Sequence, residues 1–497
     1  MRHPKYDAVI VGAGIGGLVC GSYLSKQGLK VLIAERQNKP GGCCTSFMKG
    51  RLSFDAAVHN FASCRPRGIM GSILGELGVN DLRFEQRKIV DLVFSSGMKL
   101  KFFRDKTRTI RQFSRAFPKE KANIQKYFDF IDSFDFTANY VWFYKTYVDR
   151  KFIDVLKSYF SDEKLIALLC VPVLNVNMPF SEMSALSGIM LYREYIMDGG
   201  YYLDGGTQRL ADALAAVFRV QGGELLLSKK VDRILTQDKL AKAVTLSDGT
   251  VIEARYIVAN CDATQVFSRL LDDSIFTSTY LKKMQALKPT MSLFSVYLGL
   301  KNQIRNEVKD AGTIWHFDKY DFNRSLISIY AGRKKYLSDG FAFCVAPKVS
   351  EVEAVEGTRE KMYIFTSASY GDPAYWQNNK RRLTGQLIER VKKHYPGLIR
   401  DISFCATATP GDIEKFTSNY RGATCGWAYS SQQIQSQIVK RNCAIRNLFF
   451  CGHWVNQPYP GGVPGAAFSG KATADLIRNH LNMTASAEKK ESFVNNG

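Results

Sequence analysis

Three glycines near the start of the chain have the spacing that allows a backbone to bind a pyrophosphate. Gly12, Gly14 and Gly17 directly follow the apolar run from residue 8 to residue 11. The run is typical of a buried parallel strand, and the residues from 15 to about 27 are typical of a helix. The first glycine permits a tight turn, the second lets the backbone approach the phosphates, and the third lets helix and strand pack closely. The phosphates then meet the positive end of the helix.

Glu35 supplies the second part of this site. It follows another apolar run, from residue 30 to residue 34, and its carboxylate can accept hydrogen bonds from both hydroxyls of an adenosine ribose. This interaction requires a free 2′-hydroxyl and excludes a 2′-phosphate. Dinucleotide binding is predicted by the order of these features, which is a strand, the glycines, a helix, a second strand and an acidic residue at its end.

A second glycine cluster lies near the other end of the chain. The apolar run from residue 447 to residue 452 predicts a buried strand, and Gly461 to Gly465 then begins a helix that we expect to extend to about Leu481. Pro464 suits the first turn of this helix, where its missing N–H would have had no partner. The small residues from 465 to 470 predict close contact with a cofactor. Together the two clusters outline one flavin site.

Motifs between the two clusters resemble one family of flavoproteins. Glu35-Arg36, Gly41-Gly42 and Phe54-Asp55 look like the start of the phytoene desaturase family, which also contains carotenoid isomerases and retinol saturases. The Gly-Gly-Cys-Cys sequence that begins at Gly41, and His59 after Phe-Asp, resemble the saturase and isomerase branches in particular.

The resemblance is clear over residues 6–60, 198–262 and 447–478 and weak elsewhere. It departs at two positions. An arginine often follows the Gly-Gly pair in relatives, and here Cys43 follows it. An acidic residue commonly follows the glycine at the end of the last strand, and here His453 follows it. These departures affect individual flavin contacts rather than the site as a whole.

The resemblance implies FAD as the cofactor and an α/β fold. We expect a Rossmann-type FAD-binding domain of the glutathione-reductase-like class, an interleaved α+β substrate domain and a helical cap that faces a membrane. The expected boundaries are 1–75, 200–275 and 440–482 for the FAD-binding domain, 76–112 and 276–439 for the substrate domain, 113–199 for the cap and 483–497 for a disordered tail.

The same resemblance, with the glycine motifs, indicates which residues bind the cofactor. In relatives the backbone at the position of Val231 contacts the adenine, and the last helix starts against the flavin ring, where its dipole favours the negative charge of reduced flavin. The residues expected to bind FAD are Gly12, Gly14, Gly16, Gly17, Glu35, Arg36, Gly41, Gly42, Val231, Gly452, Gly462, Val463 and Pro464.

The chemistry implied by the resemblance is hydride transfer to or from flavin N5 at the C–C or C=C bonds of a long apolar polyene. Carotenoid desaturation, saturation of a retinoid or carotenoid, and cis–trans isomerisation with no net redox change all remain open. In each case the cofactor carries the difficult chemistry. No catalytic residue is singled out. His59 and His453 lie in segments expected near the flavin and could exchange protons near neutral pH, although a lone histidine is more often a packed residue.

Two readings from other classes stay in view. A flavin oxidase of soluble amines has the same cofactor fold but requires a polar pocket. A protein with a purely structural flavin would use its surface to recruit a partner. No second glycine motif follows a strand, so we expect no nicotinamide domain, and a quinone, oxygen or an unknown donor exchanges the electrons.

The amino-acid composition indicates which kinds of partner the protein can bind. The chain has 497 residues with 68 basic and 46 acidic side chains, a net charge of +22. This surplus favours anionic partners such as a membrane surface. No nucleic-acid module accompanies this basic surplus.

The 11 cysteines form no CxxC pair and predict free thiols. The six histidines show no ligand spacing, so we expect no metal.

A basic stretch followed by an aromatic one suggests where a membrane could be met. Residues 101–126 are rich in lysine and arginine, and residues 127–160 form the densest aromatic stretch of the chain. The combination suits a monotopic membrane contact. Taken alone, the stretch favours a solvated helix followed by a cap packed on the core, but the resemblance to a family with lipid-soluble substrates favours the membrane contact. With residues 180–195 and 280–300, the aromatic stretch is expected to form the wall of a substrate tunnel.

The cellular location is expected to be cytoplasmic, with the protein peripherally attached to a membrane. The first strand begins near Tyr6, which leaves no room for a targeting peptide before it. No apolar run reaches the roughly 18 to 20 residues of a spanning helix.

Overall fold

The computed structural model describes residues 5–49, 52–136, 138–272, 278–304, 307–333, 336–346, 357–436, 440–455 and 462–495. The strands are β1 (Tyr6–Val11), β2 (Val31–Ala34), β3 (Ser46–Lys49), β4 (Leu52–Asp55), β5 (Phe84–Gln86), β6 (Ile89–Ser95), β7 (Met98–Phe103), β8 (Tyr201–Leu203), β9 (Glu224–Leu226), β10 (Val231–Gln237), β11 (Leu240–Leu246), β12 (Val251–Ala259), β13 (Ser292–Leu300), β14 (Ala311–Phe317), β15 (Phe341–Val345), β16 (Glu360–Ala368), β17 (Ile402–Ala408) and β18 (Leu448–Phe450).

The helices lie between and around these strands. They are α1 (Ile15–Lys26), α2 (Ile69–Leu77), α3 (Lys106–Ala116), α4 (Lys121–Asp132), α5 (Tyr140–Tyr147), α6 (Phe152–Tyr159), α7 (Glu163–Cys170), α8 (Ala185–Leu191), α9 (Gln208–Val220), α10 (Ala263–Gln265), α11 (Ser278–Gln285), α12 (Glu307–Asp310), α13 (Phe322–Tyr330), α14 (Pro373–His394), α15 (Pro410–Thr417), α16 (Ser431–Ile434) and α17 (Gly462–Asn495).

The first sheet brings together strands from distant parts of the chain. Its order is β10-β11-β12-β1-β2-β9, with β18 paired to β12. The pairs of β1 with β2 and with β12, of β2 with β9 and of β12 with β18 are parallel. Alternate residues of β1 pack into separate hydrophobic clusters on opposite faces: Ala8 and Ile10 face one cluster, and Val9 and Val11 face the other. Burial of both faces explains the continuous apolar run of β1.

The second sheet has the order β17-β13-β16-β15-β14-β6-β7 and is mostly antiparallel, with β14 and β6 parallel. Helix α14 covers one face, where Trp376, Leu383 and Leu387 pack on the sheet. The opposite face carries Trp315 and Phe365 toward the first sheet, where they contact the main hydrophobic cluster. The side chains of this inner face therefore lie between the two sheets.

A layer of helices from α3 to α8 covers the second sheet near β6 and β7. Its aromatic residues mostly point inward: Tyr127, Phe134, Phe143 and Phe152 are all buried. The main exception is Trp142 at the start of α5, which is 57% exposed. Most of the aromatic stretch from 127 to 160 is thus the core of a helical layer, as in the second of the two readings given above.

The last helix differs from its sequence prediction at the C-terminal end. Its backbone continues to Asn495, whereas we predicted an end near Leu481 and a disordered tail from residue 483. Alanine, glutamate and lysine recur in this segment and have high helix propensity, which explains a helix without apolar periodicity. Gly461 lies outside the described residues. Among the helices described, none has both the length and the apolar composition needed to cross a bilayer.

Candidate functional site

The glycine turn after β1 is shaped by contacts that exclude side chains. Gly12 has a φ of +102°, which strains any residue with a side chain, and a Cβ there would lie 2.8 Å from the carbonyl oxygen of Asn260. A Cβ on Gly17 would lie 2.3 Å from the carbonyl oxygen of Gly12. Gly41 donates its N–H to the carbonyl oxygen of Ala13 at 2.9 Å, which fixes the second glycine pair beside the first turn.

Glu35 is buried at the end of β2, beside the same turn. One carboxylate oxygen accepts the N–H of Ala13 at 2.7 Å, and the other accepts the N–H of Gln37 at 2.8 Å. These bonds hold the carboxylate at the mouth of the glycine turn and leave lone pairs on both oxygens. The position fits the ribose of a dinucleotide. Arg36 is exposed and donates to the carbonyl oxygen of Phe416.

The C-terminal cluster meets the N-terminal one through Asn260, a residue that the sequence analysis did not select. Asn260 follows β12 and donates from Nδ2 to the carbonyl oxygens of Gly12 at 3.0 Å and Gly14 at 3.4 Å. A Cβ on Gly452, which has a φ of +86°, would lie 2.7 Å from Asn260 Oδ1. A polar residue at the carboxyl end of a parallel strand was the available signal for this role.

Helix α17 starts against the site and crosses α1. Val463 and Pro464 in its first turn are buried, and with Gly462 they line the cavity beside the two glycine clusters. Farther along, a Cβ on Gly470 would lie 2.2 Å from the carbonyl oxygen of Gly16. Gly470 therefore serves the close packing of two helices rather than contact with a cofactor, which corrects the expectation for that residue.

The predicted cofactor residues come together around one cavity of about 490 Å³. All of them line it except Gly17, which packs behind the turn. The basic side chains on this part of the wall are Arg36, Lys39, Lys230 and Arg269, which suit an anionic ligand. This groove has backbone free of side chains at Gly14 and Gly42, a carboxylate at Glu35 and a helix N-terminus. These groups match the chemical groups of FAD.

The cavity continues from this groove to the inner face of the second sheet. The part of the cavity lined by this face is here called the inner chamber. Its wall is mainly aromatic and aliphatic, with Trp315, Phe317, Tyr363 and Phe365 as the largest side chains. These residues come from β14 and β16, which β15 brings together only in the folded sheet, so their grouping had no signal in the sequence.

The predicted tunnel wall is therefore only partly correct. Leu191 and Tyr195 from the segment 180–195 and Leu293 from the segment 280–300 line the cavity. Among the described residues of the stretch 127–160, none lines it, because their side chains pack within the helical layer.

Both candidate histidines line the cavity, but neither titrates near neutral pH. Burial lowers the pKa of His59 to about 3 and that of His453 to about 4. Both rings are thus neutral at pH 7. The His59 ring lies against Tyr363 with a centroid distance of 3.9 Å, which is the packing role we gave as its alternative.

A buried carboxyl group lies behind the wall of the inner chamber. Asp91 of β6 has no exposed surface, and its Oδ1 accepts the hydroxyl of Tyr195 at 2.8 Å. Asn175 Nδ2 lies 3.5 Å from Oδ2. Burial raises the pKa of Asp91 to about 7, because the hydrogen bonds from Tyr195 and Asn175 offset only part of the desolvation. No local pattern in the sequence pointed to this residue.

Comparison with known proteins agrees with this site. The sequence profile described as flavin containing amine oxidoreductase matches residues 15–478. The chain belongs to the flavin containing amine oxidoreductase family. Its cofactor is FAD, and the groove described above provides the groups that FAD requires. The resemblance to flavoproteins inferred from the motifs is confirmed.

Curated relatives of this flavin oxidoreductase are named for prolycopene, phytoene and retinol. The chloroplastic prolycopene isomerase of Arabidopsis thaliana is 24% identical over 99% of this chain and 85% of its own. The lycopene-forming phytoene desaturase of Pantoea ananas is 23% identical over 95% of this chain and 99% of its own. The all-trans-retinol 13,14-reductase of Rattus norvegicus is 22% identical over 90% of this chain and 83% of its own.

Solved structures show the same fold. An oxidoreductase from Methanosarcina mazei superposes with a TM-score of 0.66 at 16% identity, over 94% of this chain and 99% of its own. A putrescine oxidase bound to putrescine superposes with a TM-score of 0.65 at 16% identity, over 95% of this chain and 99% of its own. The flavin oxidoreductase thus has the FAD-dependent fold of its family, with two mixed sheets joined by the cavity.

Proposed function

We propose that this flavin oxidoreductase acts on the C–C or C=C bonds of a long apolar polyene isoprenoid. The observation that supports this most is the single cavity that connects the dinucleotide groove with the aromatic inner chamber. Glu35 and Val231 would hold the adenosine part of FAD, and the cavity continues from them to that chamber. The names of three relatives, an isomerase, a desaturase and a reductase of such compounds, point the same way.

Bound FAD would supply hydride transfer, and the protein would position the substrate and exclude water from the chamber. The aromatic side chains of β14 and β16 exclude water and hold an extended hydrocarbon against the ring. Glu35, the glycine turns and the N-terminus of α17 hold the cofactor. Desaturation is the leading form of the reaction. Isomerisation without net redox change, and saturation of a retinoid or carotenoid by reduced FAD, are the alternatives.

Oxidation of a soluble amine is the second candidate, favoured by the solved putrescine oxidases. The charged side chains that line the cavity belong to the groove beside the first sheet, as with Glu35, Asp232 and Asp262. Among the described residues, the inner chamber thus has aromatic faces that an ammonium group could contact but no carboxylate that could pair with it. A mainly apolar chamber fits a polyene better. Hydrogen peroxide released on addition of amines would support the amine oxidase instead.

We propose that the helical layer α3 to α8 also touches a membrane. Arg104, Arg108, Arg111 and Arg115 are exposed on or beside α3, and Val141 and Trp142 form an exposed apolar pair. Each basic residue near an anionic surface contributes about 1 kcal/mol. Changing the four arginines to glutamine should therefore reduce sedimentation with anionic liposomes, with FAD content unchanged. A control protein carries the same change at Lys380, Arg381, Arg382 and Lys393 of α14. Equal binding of the two variants and the wild type would remove the membrane contact.

The division of the chain into a discontinuous Rossmann-type FAD-binding domain of the glutathione-reductase-like class, a substrate domain and a cap is part of the same proposal. The membership of the two sheets supports it, since β1, β2, β9 to β12 and β18 form one and β6, β7 and β13 to β17 form the other. A quinone or oxygen is the proposed electron partner.

The substrate is tested most simply in cells that accumulate phytoene, cis-lycopene or retinol. The full chain is expressed in each strain and the pigments are separated by chromatography. We expect conversion of at least one compound, and the product identifies desaturation, isomerisation or saturation. A Gly14→Val variant expressed at the same level is the matched control. No conversion of any polyene, together with amine-dependent peroxide, would replace the proposal by the amine oxidase.

A further inference from the structure

A polar cluster surrounds Asp91 on the wall of the inner chamber. Asn60, Asn175, Tyr195 and Thr313 all line the cavity. Asn60 donates from Nδ2 to Thr313 Oγ1 at 3.0 Å, and Tyr195 donates to Asp91 at 2.8 Å. Amides, a hydroxyl and a phenol thus share one patch beside the large aromatic side chains of β14 and β16.

The carboxyl group at the centre of this patch has no cation to balance it. Among the described residues, none forms an ion pair with Asp91. The nearby guanidinium of Arg87 donates instead to the carbonyl oxygens of Lys309 and Val345. The other titratable groups that face the patch are Tyr192 and Cys344, both neutral at pH 7 because burial raises their pKa values. A buried polar cluster of this kind destabilises the fold unless its groups find partners.

We propose that Tyr195 and its neighbours bind an oxygen atom of the substrate, so that the polyene carries a hydroxyl group that donates to this patch. The inference rests on the proposed function and names its substrate class. Asp91 positions the phenol of Tyr195 without touching the substrate itself. Asn60 Oδ1 is buried and has no hydrogen-bond partner, and a bare hydrocarbon would leave it so, whereas the hydroxyl of an oxygenated isoprenoid can donate to it. Sites built for a substrate hydroxyl reject the analogue that lacks it.

The test compares binding of two ligands to the FAD-loaded full chain. All-trans-retinol and the hydrocarbon in which a hydrogen replaces its hydroxyl are titrated by their fluorescence change. We expect the alcohol to bind about tenfold more tightly, the effect of one net hydrogen bond. Tyr195→Phe should remove this preference and leave hydrocarbon binding unchanged. Tyr370→Phe, which removes a hydroxyl bonded to Glu414 outside the cavity, should behave like the wild type.

The outcomes separate this inference from the proposed function. Equal affinity for the two ligands in the wild type, or a Tyr195→Phe variant that keeps the preference, overturns the oxygen-binding patch alone. Failure of both ligands to bind a protein that contains FAD overturns the proposed function. Loss of FAD in Tyr195→Phe would place the phenol at the cofactor and also refute the inference.

A second and independent cluster lies on the other face of the second sheet. His316 of β14, Asp318 just after it and His394 at the end of α14 each offer one ligand atom, and these atoms lie within 4.8 Å of one another. Asp318 Oδ1 is 3.4 Å from His316 Nε2 and 3.4 Å from His394 Nε2. Sequence spacing had indicated no metal because two elements distant in the chain bring these residues together.

The two distances from Asp318 Oδ1 match a tetrahedral ion. Bonds of about 2.1 Å from zinc to nitrogen and oxygen place neighbouring ligand atoms about 3.4 Å apart. His316 Nδ1 lies 3.4 Å from the hydroxyl of Tyr395, the kind of partner that orients a ligating imidazole. Arg390 approaches Asp318 at Oδ2, at 3.6 Å, and so leaves Oδ1 for the ion. His316 Nε2 is buried and has no hydrogen-bond partner.

The geometry points to a site for zinc or a similar divalent ion at His316, Asp318 and His394, with water as the fourth ligand. Two imidazoles and a carboxylate are ligands that zinc prefers over magnesium or calcium. The ion would join the end of α14 to β14 and so brace the second sheet from the side opposite the cavity. No step of the flavin chemistry depends on it.

The test uses the FAD-loaded chain dialysed against zinc chloride. We expect one zinc per chain, a higher unfolding temperature with zinc than without, and a cobalt-substituted spectrum that lacks thiolate charge-transfer bands. His394→Gln should lose the zinc and the temperature shift. His480→Gln, a histidine outside the cluster, should keep both. Zinc content that is absent in the wild type, or unchanged in His394→Gln, overturns the site.

Discussion

Replacement of Asp91 by asparagine is expected to stabilise the protein in a pH-dependent way. The carboxyl group is fully buried, and burial raises its pKa from the ordinary value of 3.8 to about 7. Below pH 3.8 the group is protonated in the folded and the unfolded chain and has no effect on stability. Between pH 3.8 and about pH 7 the unfolded chain releases the proton and the folded chain keeps it. The stability of the wild type therefore falls as the pH rises through this window.

The size of the effect follows from the two pKa values. Stability falls by about 1.4 kcal/mol for each pH unit across this window, which amounts to about 4 kcal/mol above pH 7. Asparagine keeps the shape and a hydrogen-bond acceptor for Tyr195 but cannot ionise. The variant should therefore equal the wild type near pH 4 and exceed its free energy of unfolding by about 4 kcal/mol at pH 8.

Urea unfolding of both proteins from pH 4 to pH 8 measures this difference. Asp401→Asn serves as the control because Asp401 is exposed, and its curve should run parallel to that of the wild type. A constant offset between Asp91→Asn and the wild type, or a destabilised variant at pH 8, would show that Asp91 is ionised in the folded chain and would refute the reasoning.

Three further outcomes are expected. Gly14→Val should abolish FAD binding, because a Cβ at Gly14 already lies 3.1 Å from Asn260 Nδ2 and the rest of the valine would fill the pyrophosphate groove. The control is Gly385→Val, which has open space around it and should keep normal flavin absorbance. Arg65→Met should lower the free energy of unfolding by about 3 to 5 kcal/mol in urea titrations, because it leaves the buried carboxylate of Glu194 without its bidentate partner. His59→Asn should leave the pH dependence of flavin reduction unchanged between pH 5 and pH 8, since His59 has a pKa of about 3; a lost titration step would contradict this.

The cofactor groove could be predicted because its residues are close in sequence to the elements that place them. The turn from Gly12 to Gly17 and the acid at Glu35 each follow a strand whose apolar run shows in the sequence. The start of α17 at Gly462 follows β18 in the same way. Local motifs of this kind determine which backbone groups face a pyrophosphate, and two of them together indicate one dinucleotide.

The inner chamber and the histidine cluster could not be predicted in this way. Trp315 and Phe365 lie on β14 and β16, whose adjacency to β15 is a property of the folded sheet. Asp91 looks like an ordinary polar residue in an apolar strand until burial raises its pKa. His316 and His394 meet only because α14 packs across β14. Long-range pairing, rather than local pattern, determines all of these positions.

A crystal structure of the FAD complex tests the central claim most directly. The account predicts the adenosine ribose within hydrogen-bonding distance of Glu35 and the flavin ring at the N-terminus of α17, with one face open to the chamber lined by Trp315 and Tyr363. A ring that points away from this chamber, or a ribose bound elsewhere, would contradict it.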